Sequence, residues 1–368
     1  MPATPNPAIQ SDMSTKGDLL LVGSIPMDTV ADVFRTWGAR LGRFLPCMPD
    51  GEVGDRAAWV DMLAYRVYNG HPELETLKRP APEHGVERWR PRNLTDEWEF
   101  KVRPGVSSVR FGDPGWRLGY ARDALSSYFV FQTLKKEGVL PQDLRLQICI
   151  PLSISAVMPY FHDPADWEKV IPGYESAVHA EIAKMLERIP ARELAIQWDE
   201  AVEVQDVEFG YPYSPKEGRF ERNIAPIERL SRDIPSEVML GHHLCYGTLG
   251  GWPMVTPKNL AMAVKFANAA VAESGRRVDF VHIPTLYTSD DAYYQPLRNL
   301  RVSDARVYLG LIHNMEDKER FRQRVAVARK YLPEFGLSAP CGFGRENPKT
   351  LPGLLRNHLD ALELAKQG

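Results

Sequence analysis

The sequence predicts an α/β fold, a TIM (β/α)8 barrel with long insertions. Three observations carry that expectation. Short apolar runs alternate with amphipathic helical segments, the rhythm of βα units feeding a parallel sheet. Eight such units fit into about 350 residues, the count of a closed barrel. The first run is not followed by GxGxxG, the glycine pattern that a doubly wound dinucleotide-binding sheet would carry there.

Taken in order, the expected strands are LLLVGSIP (19–26), RFLPCMP (43–49), LRLQICIPL (144–152), ELAIQWD (193–199), EVMLGHHLC (237–245), VDFVHIPT (278–285), ARVYLGLIH (305–313) and FGLSAPC (335–341). Helical patterns follow the first three, at DTVADVFRTWGARLG, RAAWVDMLAYRVY and EKVIPGYESAVHAEIAKMLERI. Others follow the last four, at PKNLAMAVKFANAAVAES, DAYYQPLRNL, DKERFRQRVAVARKYL and LPGLLRNHLDALELAK. Two stretches break the rhythm. Residues 69–118 are rich in Pro, Arg, Glu and Trp, and residues 202–236 contain GYPYSPKEGRFER. Both are long for βα loops and read as insertions serving as lids or substrate-binding excursions. Residues 1–16 read as a flexible tail, which leaves residues 17–368 as a single barrel.

Composition narrows the function. The 48 acids and 45 bases leave a net charge of -3, which gives no reason to expect a nucleic-acid or anionic-membrane partner. Four cysteines, at 47, 149, 245 and 341, are too scattered for a disulfide framework and suit a reducing compartment. The first residues carry no basic segment leading into an apolar one, and no apolar run approaches the roughly 18–20 residues that span a bilayer. A cytoplasmic location is the expectation.

A barrel of this kind places its chemistry at the C-terminal ends of the strands. There stand Ser24, Cys47, Asp50, Glu52, Cys149, Ser153, Asp199, Glu200, His243, Cys245, His282, His313, Asn314 and Cys341. His243 and Cys245 are two apart, so on a strand they share a face and project into the barrel mouth. His242 faces the other way. Cys341 ends the eighth strand in the same mouth, and one imidazole with two thiolates is a good zinc set. Against this, cysteine is often merely buried and a lone histidine near a core is usually just hydrogen-bonded. Trp198, Tyr246 and Trp252 would wall an aromatic pocket or belong to the core. Arg345 would bind an anionic substrate group or make a surface salt bridge. Cys47 and Cys149 read as buried thiols.

Five stretches together resemble the catalytic barrel of cobalamin-independent methionine synthase. VGSIPMDT is similar to that family's IGSFPQT, DGEVGDRAAWV to HGEPERNDMV, IQWDEAV to IQIDEPA, HHLCYG to HMCYS, and PCGFGRE to DCGLKTR. They occur in the family's order and span most of residues 19–368. The superfamily also holds uroporphyrinogen decarboxylase and epoxide:coenzyme M alkyltransferase. The resemblance implies a TIM barrel, zinc held by His243, Cys245 and Cys341, and an amino-acid substrate held by Ser24 and Asp199. Ser24 would bond a carboxylate and Asp199 an ammonium group. Glu52 and Arg56 also match positions of the motif, or else form an ion pair at the rim. Asp199 could instead orient His243 from behind the metal.

There are departures. The family's zinc-ligating Glu in SIE is replaced by Pro284 in VHIPT, and His282, two residues earlier on the same face, is the available substitute or a substrate contact. The family's DIHSP appears as LIHNMED, which shifts His313 in register and makes it a candidate general acid or a hydrogen-bonded rim residue. The synthase's extra N-terminal barrel has no counterpart in these residues, which points away from a folate substrate.

The expected function is zinc-dependent methyl or alkyl transfer to or from a thiol, with a small-molecule thiol and an alkyl donor as partners. A folate or a corrinoid is a candidate donor. Loss of the Glu ligand also suits a zinc-assisted lyase that cleaves C–C or C–O bonds in a bulkier, aromatic substrate. A third reading is a non-catalytic metal- or ligand-binding barrel.

Overall fold

The computed structural model describes residues 16–112, 115–313 and 317–366. The expected tail, apart from Lys16, and Asn314 lie outside the described residues. Eight strands form the central sheet: β1 (Leu19–Leu20), β2 (Cys47–Pro49), β3 (Arg145–Pro151), β4 (Leu194–Glu200), β5 (Met239–Leu244), β6 (Phe280–Pro284), β7 (Arg306–Gly310) and β8 (Gly336–Ser338). Each falls within one of the eight apolar runs, except that β4 extends one residue past its run, to Glu200. The hydrogen-bonded order is β1–β8–β7–β6–β5–β4–β3–β2, every pair parallel. This is a nearly closed barrel, wrapped by helices, and the expected fold class holds.

The crossover from β2 to β3 differs from the sequence expectation. Residues 56–68 form only short helical turns, at Gly54–Ala58, Asp61–Leu63 and Ala64–Tyr68. The long helix of this unit is Tyr120–Lys136, which the apolar pattern did not bring out. Its inward face includes Ser127 and Lys135 and its outward face carries Phe129, 75% exposed, so the 3.6-residue period is blurred. Residues 202–236 likewise hold two helices, Val202–Glu208 and Arg219–Ser231, the second packing against Ala261–Glu273. Only the segment between them loops out.

Within residues 69–118 an antiparallel hairpin pairs Leu74–Lys78 with Glu99–Val102. It is tied to the barrel beyond β3: Phe100 N–H bonds the Tyr160 carbonyl at 2.8 Å, and Val102 N–H bonds Asp166 Oδ2 at 3.1 Å. These bonds hold the insertion at the side of the barrel where the strands end.

One buried cluster gathers Leu20, Cys47, Ala195, Phe280 and Tyr308 from five strands. Two glycines make room for its rings. A Cβ on Gly241 would stand 2.0 Å from Phe280 Cζ, and one on Gly336 would stand 2.4 Å from Tyr308 Cδ1. Large and small residues thus interdigitate across the strands. Gly241→Val should overpack this layer and lower stability by about 1–3 kcal/mol, read as a lower urea midpoint with an unchanged m-value.

Candidate active site

A polar layer lies just below the barrel mouth. Gln147 Nε2 donates to the carbonyls of Leu21 (3.2 Å) and Val22 (2.9 Å) and to Gln197 Oε1 (3.0 Å). Gln197 Nε2 in turn donates to the Val22 carbonyl (2.7 Å) and to Asp199 Oδ1 (2.8 Å). Asp199 follows Gln197 on the same face of β4, so this layer fixes its carboxyl from beneath. Trp59 Nε1 donates to the other oxygen at 2.9 Å.

Beside it the structure brings together His243, Cys245 and Cys341, with one ligand atom of each lying within 4.8 Å of the others. The two sulfurs are 3.2 Å apart. His243 Nδ1 lies 2.7 Å from His282 Nδ1, and His282 Nε2 lies 2.9 Å from the Ala339 carbonyl. A carbonyl only accepts, so His282 carries its proton on Nε2. Burial lowers His282 to about 4 and, with His282 as neighbour, holds His243 well below its ordinary value. Both rings are therefore neutral. His282 Nδ1 must then accept, and His243 must donate from its own Nδ1. The Nε2 lone pair of His243 is left bare, which is the form a metal needs.

The Cys341 thiol is pushed up by its hydrogen bond to Cys245 and by burial. Without a cation the Cys341 sulfur stays protonated, and a soft divalent ion is what would convert it. The donor set of one imidazole and two sulfurs thus fits zinc.

A second group, Glu52, Cys149 and Asp199, also has its ligand atoms within 4.8 Å of one another. Burial raises Glu52 and Asp199 above the usual carboxylate range, and Asp199 raises Glu52 further. Two buried carboxyls this close cannot both ionise without a cation between them.

The loop after β2 is held in strained form. Glu52 and Trp59 have φ of 48° and 55°, in the region that side chains avoid. Buried Asp50 stabilises this shape: it accepts from Arg56 (3.2 and 2.7 Å), from Ser127 Oγ (2.6 Å) and from Glu52 N–H (3.0 Å). Arg56 also pairs with Asp123 at 3.3 Å, so its partners are Asp50 and Asp123 and not Glu52. Ser24 is clasped by the loop after β8. Its Oγ accepts Gly344 N–H at 3.0 Å, and its carbonyl accepts Phe343 N–H at 2.7 Å. Gly342 permits this approach, since a Cβ there would lie 2.4 Å from Ser24 Oγ.

These residues open on a cavity of about 900 Å³, part of it continuous with solvent. Ser24, Glu52, Asp199, His243, Cys245, Cys341 and Arg345 all line it. Arg345 is already engaged, by Asp61 Oδ2 (3.2 Å), the Ala58 carbonyl (3.3 Å) and Thr248 Oγ1 (2.9 Å).

Four expected residues stand elsewhere. His282 lies behind His243 with both nitrogens engaged, so it does not take the place of the missing ligand. Trp198 alternates with Asp199 and so points outward, where its Nε1 donates to Ser231 Oγ at 2.9 Å. Tyr246 is fully buried against Trp252, with ring centroids 6.0 Å apart, off the cavity lining. His313 is also off the lining, packed against Tyr287. Burial and Arg324 lower it to about 3, which removes it as a protonated acid at neutral pH. His242 faces outward as expected, bonded to Glu200 and, at 3.1 Å, to Ser274.

The sequence reading missed Trp59, Asp61, Glu97, Tyr160, Tyr211 and Tyr213, all of which line the cavity. Their segments were visible: Trp59 lies inside the DGEVGDRAAWV motif, Glu97 in the first insertion, and the paired tyrosines in GYPYSP. No helix among the described residues is long and apolar enough to cross a membrane.

No family model matches the chain, and no curated protein matches it in sequence. Among solved structures it is similar to a B12-independent methionine synthase from Shewanella sp. W3-18-1 in complex with selenomethionine. The identity is 13%, with 96% of each chain covered and a TM-score of 0.56. A methyltransferase from Methanosarcina mazei also aligns, at 10% identity over 94% of each chain with a TM-score of 0.46. The first likeness establishes a shared fold over nearly the whole chain.

Two outcomes follow from this geometry. Arg56→Ala would leave the Asp50 carboxylate, 1% exposed, buried without its cation, and should cost about 3–5 kcal/mol in thermal or urea unfolding. Glu97 supplies a pH test. Burial, then Asp61, pushes its carboxyl from 4.5 up to about 8. As pH rises, the unfolded chain loses this proton first, so stability falls between the two values and levels off above the upper one. The advantage of Glu97→Gln over the parent protein should grow across that window, by on the order of a few kcal/mol at most, and then stay constant.

Proposed function

We propose that this chain is a zinc-dependent enzyme of the methionine-synthase-like superfamily, transferring a methyl or other alkyl group to a small-molecule thiol. The observation that carries the reading is the convergence of His243, Cys245 and Cys341 at one cavity, with the His243 tautomer fixed for ligation by His282. The order of the five sequence motifs and the shared fold support it.

Pro284 offers no donor where the family has Glu, which leaves three protein ligands, the count typical of a catalytic zinc site. Zinc bound there would lower the pKa of a substrate thiol and present it as a nucleophile at neutral pH. Glu52 and Asp199 would receive the substrate's ammonium group, whose positive charge answers the unpaired acidity of that corner. Ser24, held by the β8 loop, would bond the substrate's carboxylate. Trp59 and Gln197 keep the Asp199 oxygens oriented and exclude water from their faces.

The purified protein should contain one zinc per chain, and Cys245→Ser and Cys341→Ser should each lose it while remaining folded. His282→Phe should retain the ligands yet weaken zinc about 10–100-fold, measured by competition with a chelating dye. In cobalt-substituted protein, added thiol should raise the sulfur-to-metal charge-transfer absorption. Metal-free protein from zinc-replete cells, or a cobalt spectrum indifferent to thiols, would defeat the proposal. Bond cleavage without any thiol acceptor would favour the lyase reading.

A further inference from the structure

The cavity has a region that the thiol site does not use. It is walled by Tyr160, Tyr211 and Tyr213, and Glu97 also lines it. Glu97 lies within electrostatic reach of all three tyrosines. The rings are fixed in place. Tyr211 Oη donates to Gln205 Oε1 at 2.6 Å, Tyr160 Oη donates to Asp61 Oδ1 at 2.9 Å, and Tyr213 is stacked by His162 at 4.2 Å.

The charge balance of the lining is one-sided. Glu52, Asp61, Glu97 and Asp199 face it, and Arg345 is the only Lys or Arg among the lining residues. That guanidinium is bound to Asp61. Glu97 makes no hydrogen bond and no ion pair among the described residues. Burial holds its carboxyl up to about 8, so an arriving cation draws the proton off, and an acid beside aromatic rings then receives a cation with no N–H to donate.

Resting on the alkyl-transfer reading above, we propose that the alkyl donor is a small onium cation, a sulfonium or a quaternary ammonium, seated among these aromatic rings against Glu97. The chemistry balances without a further reactant. The thiolate sulfur forms a bond to the methyl carbon as the bond from that carbon to the onium centre breaks. The electron pair stays on the departing sulfur or nitrogen, which leaves as a neutral thioether or tertiary amine. The thiol proton has already gone to solvent. No acid is needed at the leaving group, in keeping with the placement of His313 off the lining. A thioether product is uncharged and loses its attraction to Glu97, which favours release; a tertiary amine leaves neutral and takes its proton from solvent. A polyanionic donor such as a folate would instead meet the unpaired carboxyl.

Calorimetric titration with choline and its uncharged isostere 3,3-dimethylbutan-1-ol tests this at about pH 9, where Glu97, raised to about 8, is ionised, in zinc-loaded and in metal-free protein. Choline should bind at least tenfold more tightly than the isostere. Glu97→Gln should weaken choline about tenfold and leave the isostere unchanged, and Tyr213→Leu should also weaken choline, both without altering zinc content. Equal affinities for the two probes, no choline binding at millimolar concentration, or choline displaced by folate would each overturn the proposal. Charge selectivity is read without metal. Protein that is purified without zinc and takes none up, yet still prefers choline, would therefore sink the metal reading alone, and a zinc-loaded protein indifferent to charge would sink only this one.

Discussion

Two buried glutamines close this barrel where its backbone ladder runs out. β1 contributes only Leu19 and Leu20 to the sheet and pairs with β8, while β2 pairs with β3. The carbonyls of Leu21 and Val22 would otherwise stand in a dry interior, where an unpaired acceptor costs about 1–3 kcal/mol. Gln147 and Gln197 supply the donors. The same Gln197 amide reaches up to Asp199. Closing the barrel and orienting the first carboxylate of the cavity are therefore one network, and an apolar replacement at either glutamine would disturb both.

The cavity concentrates groups that water would otherwise stabilise. Asp199, Glu52 and Cys149 share one corner, and burial works against charge on each of them. Such a corner stays in a folded protein because neighbouring structure over-determines it. Asp50 and Arg56 provide that constraint here, by fixing the turn that carries Glu52 and by accepting the strained φ of Glu52 and Trp59. Neither Asp50 nor Arg56 lines the cavity, yet both also act on the Glu52 carboxyl, Arg56 lowering it and Asp50 raising it.

What was legible in the sequence was whatever depends on local period. Alternation along a strand placed His243 with Cys245 and turned His242 the other way; Glu200, which the sequence puts beside Asp199 at the strand end, instead faces outward against His242. The eight apolar runs gave the barrel. What was not legible depends on contacts distant in sequence. His282 looked like a spare ligand because its spacing is right; only the Ala339 carbonyl, 57 residues away, commits its second nitrogen and makes it the support of His243. His313 follows a strand and looked catalytic, but it packs with Tyr287 and Arg324. Trp198 and Tyr246 read as pocket walls or as core, and the structure buries both away from the cavity lining. Glu97 lies in an insertion whose fold, a hairpin tied to Tyr160 and Asp166, leaves no periodic trace.

Under the proposed zinc reading, Pro284 at the position of a Glu ligand and the presence of His282 make physical sense together. Removing a carboxylate ligand leaves the remaining three more dependent on being held in place. His282 sits two residues before Pro284, on the same face of β6, and bonds both His243 on β5 and Ala339 at the end of β8. One ring thus links the strand that carries the imidazole to the segment that leads, two residues on, to Cys341. A rigid set of three with a position left open can accept an incoming thiol without first displacing a protein ligand, whereas a set of four would have to release one.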